Sequence, residues 1–217
     1  MDTFDLHDMV DALTAALDAK NSYTCGHSGR VAELSLRITR QLKLPLAEQD
    51  RIHVGAHLHD IGKIGIPDAI LDKPGRLNSQ EMEMIKTHPV IGDQIIGKTR
   101  LFQSVADIVR HHHERYDGKG YPDGLRGDEI PLGARVVAVA DAFDAMTSPR
   151  PYRPAMDATA ALNELIRCRN SQFDPMLVDV FVRLVADGTH WESICKISDI
   201  KSCCSRVKLA EKGLLVK

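Results

Sequence analysis

Apolar residues in this chain recur every three or four positions from near the N-terminus to about residue 184, a spacing that stacks them on one face of a helix. Leu6, Met9, Val10, Leu13 and Leu17 mark a first helix. Val31, Leu34, Ile38 and Leu42 mark a second, which ends before Leu44-Pro45. A third is expected from Ala47 to Ile61, followed by a loop over Gly62 to Leu77 that is broken by glycine and proline. Asn78 and Glu81 have capping-box spacing for the next helix. Val105, Ile108 and Val109 line a helix that runs into a histidine cluster, and the stretch from Asp117 to Pro131 is too rich in glycine for a regular element. Pro131 suits the first turn of a strongly apolar helix reaching Met146. Asp157 and Asp174-Pro175 start two more helices, and Gly188 stops the last. No period-two strand and no internal repeat is legible, so the expected fold is an all-α helical bundle. One domain is expected over residues 1–188. Residues 189–217 read as a polar appendage whose Cys203-Cys204 pair is incidental.

A chain of 217 residues can bury one substantial core. Its formal net charge of −2 gives no footing for a nucleic-acid duplex or an anionic membrane, so any phosphate recognition must be local. No apolar run approaches the roughly 20 residues of a membrane span, and the acidic start Met1-Asp2-Thr3-Phe4-Asp5 lacks a signal-peptide pattern. Five cysteines without a CxxC pair argue against a disulfide framework and for a reducing cytoplasm. The compositional oddity is ten histidines, and their placement carries the functional argument.

His59-Asp60 joins an imidazole to a carboxylate, a donor set that favours Fe, Mn or Zn. Both can reach one centre only if the helix end abuts it, and Gly62 supports an end there. An aspartate in this position can bridge two metals with its two oxygens. His88 sits in Thr87-His88-Pro89, and His111-His112-His113 forms a run of three. His112 falls at i+7 from Val105 and therefore on the inward face. Asp141 lies in a helix apolar on nearly every side, where a carboxylate is costly unless it is ion-paired to Arg or Lys or coordinated. His27, at the head of the second helix, is a further candidate. Together His27, His59, Asp60, His88, His112, His113 and Asp141 supply donors for two ions from separate helical segments. Two ions about 3.5–4 Å apart are the template for phosphoester hydrolysis.

These strings resemble the HD-GYP family, a branch of the HD-domain phosphohydrolases. The match runs through Tyr23-Thr24-Cys25-Gly26-His27-Ser28, Leu58-His59-Asp60-Ile61-Gly62-Lys63-Ile64-Gly65-Ile66-Pro67-Asp68 and Lys73-Pro74-Gly75. It continues in His88-Pro89, His112-His113-Glu114-Arg115-Tyr116-Asp117-Gly118-Lys119-Gly120-Tyr121-Pro122, Asp141-Ala142-Phe143-Asp144-Ala145-Met146-Thr147 and Arg150-Pro151-Tyr152-Arg153. The resemblance implies a phosphodiesterase that hydrolyses the bacterial second messenger cyclic di-GMP to pGpG, sometimes onward to GMP. It implies that the seven residues above ligate metal, with Asp60 bridging and catalytic, and that Lys63, one helical turn beyond the pair, holds a phosphate oxygen and stabilises developing negative charge. Arg150, Arg153 and the Gly120-Tyr121-Pro122 loop are implied to meet substrate, and the loop to dock diguanylate cyclase domains.

Relatives with a third metal are expected to carry a Glu where this chain has Tyr23, so two divalent ions, Fe or Mn before Zn, Ni, Co or Mg, are expected, with pGpG as main product. The expected chemistry is in-line attack by a metal-bridging hydroxide. No sensor domain is expected ahead of Leu6. Two other functions fit the same pattern. One is hydrolysis of another nucleotide such as cyclic GMP-AMP. The other is an inactive module that binds cyclic di-GMP or a cyclase domain.

Overall fold

The computed structural model describes residues 6–20, 26–149 and 154–186. Within them the chain forms α1 (Leu6–Lys20), α2 (His27–Gln41), α3 (Leu46–Leu58), α4 (Asp68–Leu71) and α5 (Ser79–Ile85). There follow α6 (His88–Ile96), α7 (Ala106–His111), α8 (Leu132–Thr147), α9 (Ala158–Arg167) and α10 (Pro175–Ala186). No strand occurs among the described residues; an isolated bridge joins Arg169 to Phe173. The all-α reading holds. The tail, the cysteines beyond Cys168, the stop at Gly188 and the position of Tyr23 lie outside the described residues.

Helices α2, α3 and α8 pack on one another at the centre, with α9 against α8 and α10 against α2, α8 and α9. Their shared core holds Val31, Ile38, Ile52, Val136, Val139, Leu165 and Leu177, closed by Phe143 edge-on to Phe181 with centroids 4.8 Å apart. A smaller core of Val10, Leu58, Ile61, Ile96, Phe102 and Val109 seats α1, α6 and α7 against the end of α3. Ile108 of α7 wedges between α3 and α8 because both lack a side chain opposite it. A Cβ at Gly55 would lie 2.8 Å, and one at Gly133 2.6 Å, from its Cδ1. Helix α8 is apolar on most sides because it is covered on most sides: Ala134, Val136, Val137, Val139 and Ala140 are all fully buried.

Local signals act as the sequence implies. Asn78 Oδ1 accepts from Glu81 N at 2.9 Å while Glu81 Oε2 accepts from Asn78 N at 2.8 Å. Asp157 Oδ1 accepts from Thr159 N at 2.8 Å, and Asp174 Oδ1 from Met176 N at 2.8 Å, so each caps its helix. Two readings are corrected. The third helix stops at Leu58 rather than Ile61, and a 3₁₀ turn over Ile61–Gly65 continues the chain. The expected loop to Leu77 also contains α4, one turn opened by Pro67, whose ring fixes the backbone just ahead of Asp68. Both differences follow from glycines and prolines that permit short tight turns as readily as loops.

One buried polar group works against stability. His57 is 1% exposed, lies edge-on to His53 at 4.7 Å, and neither of its ring nitrogens has a hydrogen-bond partner. Burial, helped by His53 and His7, pushes its pKa down to about 3. A folded-state pKa below the unfolded value of about 6.5 means the unfolded chain binds more protons between those values. The resulting stability is whole above about pH 6.5 and falls as pH drops toward 3. Replacing His57 with leucine is expected to raise metal-free stability by about 1–2 kcal/mol at pH 7.5, since it removes unsatisfied buried nitrogens. The gain should grow by about 1.4 kcal/mol per pH unit below pH 6.5. Urea denaturation at pH 7.5 and 5.5 measures both; a destabilised variant would contradict the account.

Candidate metal centre

The end of α3 delivers His59 and Asp60 to the junction of α2, α6, α7 and α8. His27 heads α2 after Gly26, whose φ of 73° turns the chain in the left-handed region that glycine tolerates. His88 opens α6, with Pro89 in its first turn. His112 and His113 follow directly on α7. Asp141 projects from α8 beside His27, its Oδ1 3.3 Å from His27 Nε2.

Among the described residues two ligand groups result, and Asp60 belongs to both. Asp60, His88, His112 and His113 present atoms within 4.8 Å of one another, and so do His27, His59 and Asp60. The two carboxylate oxygens divide between them. Oδ1 lies 3.3 Å from His88 Nε2 and 3.9 Å from His112 Nε2, whereas Oδ2 lies 3.4 Å from His59 Nε2 and 3.9 Å from His27 Nε2. Burial opposes the charged carboxylate, but Lys63 and His59 hold Asp60 well below the usual carboxylate range. The Lys63 ammonium rests 2.5 Å from Oδ2.

The imidazoles are aimed by their other nitrogens. His59, His88 and His112 each turn Nδ1 to the carbonyl three residues back, Ala56, Ile85 and Val109, at 2.7, 2.8 and 2.8 Å. A carbonyl accepts, so Nδ1 carries the proton and Nε2 presents a lone pair. His88 and His112 thus point Nε2 at each other across 3.3 Å. Burial and neighbouring histidines hold His112 well below its ordinary pKa, so a second proton does not relieve that meeting. Burial and His88 likewise push His113 down to about 3. His59 Nε2 is buried without a hydrogen-bond partner. Convergent lone pairs beside an anion are the chemistry of a cation site, and the donors fit a divalent transition metal.

His27 is held differently. Its Nδ1 lies 2.7 Å from Asp144 Oδ2, and Asp144 in turn accepts Arg30 Nε at 2.6 Å and Nη2 at 3.1 Å. Burial alone would depress His27, but Asp141 and Asp144 push it up to about 9. Sequence reasoning left Asp144 and Arg30 without a role. The available signal was a second carboxylate three residues past Asp141 in an apolar helix. Asp141 takes His27, not an Arg or Lys, and the arginine pair falls to Asp144 instead. Replacing Asp144 with alanine is expected to weaken one Mn²⁺ site by roughly 10–100-fold, the usual cost of losing an orienting carboxylate. Mn²⁺ titration calorimetry checks this, and unchanged affinity at both sites would contradict it.

The other named residues separate. His111 stays outside the cluster, its Nε2 3.0 Å from Asp123 Oδ2. Tyr121 folds back over His113, its N donating to His113 O and its ring against the imidazole, while Gly120 lies close against the backbone of Glu114 and Arg115. Arg150 and Arg153 lie outside the described residues.

The profile of the HD domain family matches residues 11–177, most of the chain, and the chain belongs to that family. The resemblance to its HD-GYP branch is carried further by relatives. The chain is 44% identical over 176 residues to the cyclic di-GMP phosphodiesterase response regulator RpfG of Xanthomonas campestris pv. campestris, covering 80% of this chain and 47% of that protein. It is 42% identical over 167 residues to 3'3'-cGAMP-specific phosphodiesterase 3 of Vibrio cholerae, covering 77% and 36%. The chain therefore spans half or less of the length of these curated relatives. The crystal structure of a cyclic GMP-AMP phosphodiesterase of V. cholerae superposes with a TM-score of 0.71 at 20% identity, covering 92% of this chain and 53% of that one; this likeness bears on fold. No helix among the described residues is long and apolar enough to cross a membrane.

Proposed function

We propose that the chain is a metal-dependent phosphodiesterase that hydrolyses cyclic di-GMP to pGpG in the cytoplasm, with two divalent ions, iron or manganese, sharing Asp60. The observation that carries this reading is the division of Asp60, one oxygen toward His88 and His112 and the other toward His27 and His59. Held there, such a pair would supply an ionised water at neutral pH and positive charge for a phosphodiester. Asp141, His27 and the orienting Asp144 complete one side; His88, His112 and His113 complete the other. Lys63, its side chain 21% exposed beside Asp60, is the ammonium placed to hold a phosphate oxygen as charge builds there. Arg150 and Arg153 are assigned to the substrate's phosphate or guanine, and the Gly120-Tyr121-Pro122 turn to the rim that substrate and cyclase domains meet. Residues 1–188 form the catalytic unit and 189–217 an appendage.

The naming of relatives for both nucleotides favours a second reading, hydrolysis of 3'3'-cGAMP on the same centre. Metal-reconstituted protein incubated with cyclic di-GMP, 3'3'-cGAMP and pGpG, with products resolved by chromatography, separates the two. Cyclic di-GMP is expected to be cleaved faster, to pGpG. Replacing Lys63 with alanine should cut kcat by roughly 10²–10³-fold without changing metal content. A protein that holds both ions and binds the nucleotides but cleaves none is a signalling module, and the proposal fails.

A further inference from the structure

The five imidazoles of the centre are not all held alike. Four have an Nδ1 partner: a carbonyl for His59, His88 and His112, and the Asp144 carboxylate for His27. His113 makes no side-chain hydrogen bond among the described residues. Its ring lies among those of His112 and His88, centroids 4.1 and 5.0 Å away and tilted or edge-on, and stacks on one outside the ligand set, Tyr121, with centroids 5.0 Å apart and 29° between the planes. The Lys86 ammonium sits over the Tyr121 ring, 5.9 Å from its centroid, close to the reach of a cation–π contact.

The turn that carries Tyr121 is built to press on His113. A Cβ at Gly120 would stand 2.3 Å from Arg115 N and 2.5 Å from Glu114 Cα, so only glycine allows the approach. Glu114, 4% exposed, accepts Asp123 N at 2.7 Å and Gly124 N at 3.0 Å through one carboxylate oxygen, which ties the far side of the turn down. Tyr121 N also donates to His113 O at 3.4 Å. Backbone and ring of the same tyrosine thus bracket the same histidine.

We propose that Tyr121 is the positioning residue for His113, its ring stacking in place of the hydrogen bond that aims the other four imidazoles. The inference rests on the reading that Asp60, His88, His112 and His113 hold an ion. An imidazole without an orienting partner loses rotamer freedom only when it ligates, so removing the stack weakens that ion alone. The phenol oxygen has no part in this, which sets the role apart from a contact with substrate.

Metal-stripped wild type, Tyr121→Phe, Tyr121→Leu and Tyr121→Ala are titrated with Mn²⁺ by calorimetry, with helix content followed by circular dichroism. Tyr121→Phe is expected to match wild type. Tyr121→Leu and Tyr121→Ala should each lose roughly 10–100-fold in affinity for one ion and nothing for the other. Adding either change to His113→Ala should cost nothing more. Wild-type affinity at both sites in Tyr121→Leu overturns the proposal, as does a Tyr121→Phe protein as weak as Tyr121→Ala. A wild type that binds no Mn²⁺ instead overturns the metal centre on which the proposal stands.

Discussion

Replacing Asp60 with asparagine is expected to lower turnover of a cyclic dinucleotide by roughly 10³-fold or more and to loosen both ions together. The reason is positional. Asp60 is the one residue common to both ligand groups, and its two oxygens serve different imidazoles. Asparagine keeps the volume but removes the negative charge and turns one oxygen into a donor that faces a lone pair. His59→Ala and His88→Ala, by contrast, should each weaken one ion. Metal analysis beside kinetics reads both effects. An Asp60→Asn protein that retained one ion at wild-type affinity would show that the two groups do not share this carboxylate.

The second large effect comes from a residue that ligates nothing. A Cβ at Gly62 would lie 1.9 Å from His88 O and 2.5 Å from Gly92 N, both of them backbone atoms. Helix α6 therefore rests directly on the turn after Asp60, and that contact sets His88 against Asp60. Alanine at position 62 must push α6 away. The expected cost is about 3–5 kcal/mol of stability, in the range of severe backbone and core clashes. The ion held by His88 should be lost first. Thermal unfolding with and without Mn²⁺ checks it: the variant should lose much of the metal-dependent stabilisation that wild type gains. A variant that unfolds like wild type would mean that α6 and the turn yield freely.

Gly62 also shows how far the sequence could be read. Its place after His59-Asp60 pointed to a helix end, though α3 ends four residues before it, at Leu58, and Gly62 falls in the 3₁₀ turn that follows. The reason differs. The glycine is needed for the closeness of α6, a long-range contact that no local pattern announces. His112 was legible because its spacing from Val105 put it on the inward face, and it is buried. Asp141 was legible as a carboxylate on an otherwise apolar helix, but Asp144 on the same helix was passed over. Only the fold shows that Asp144 reaches His27 and Arg30 on a helix far away in sequence. His53 and His57 drew no reading from the sequence, since histidine count alone cannot separate imidazoles gathered at a site from those buried in a core, where His53 Nε2 and both His57 nitrogens have no partner.

The central claim is that two cations sit on either side of Asp60. Anomalous scattering from crystals of protein purified without oxygen, with elemental analysis of the same preparation, tests it most directly. The account predicts two metal peaks per chain, one against His27, His59 and Asp60 and one against Asp60, His88, His112 and His113. A single peak that leaves one of these groups bare, or metal bound away from Asp60 altogether, would contradict it.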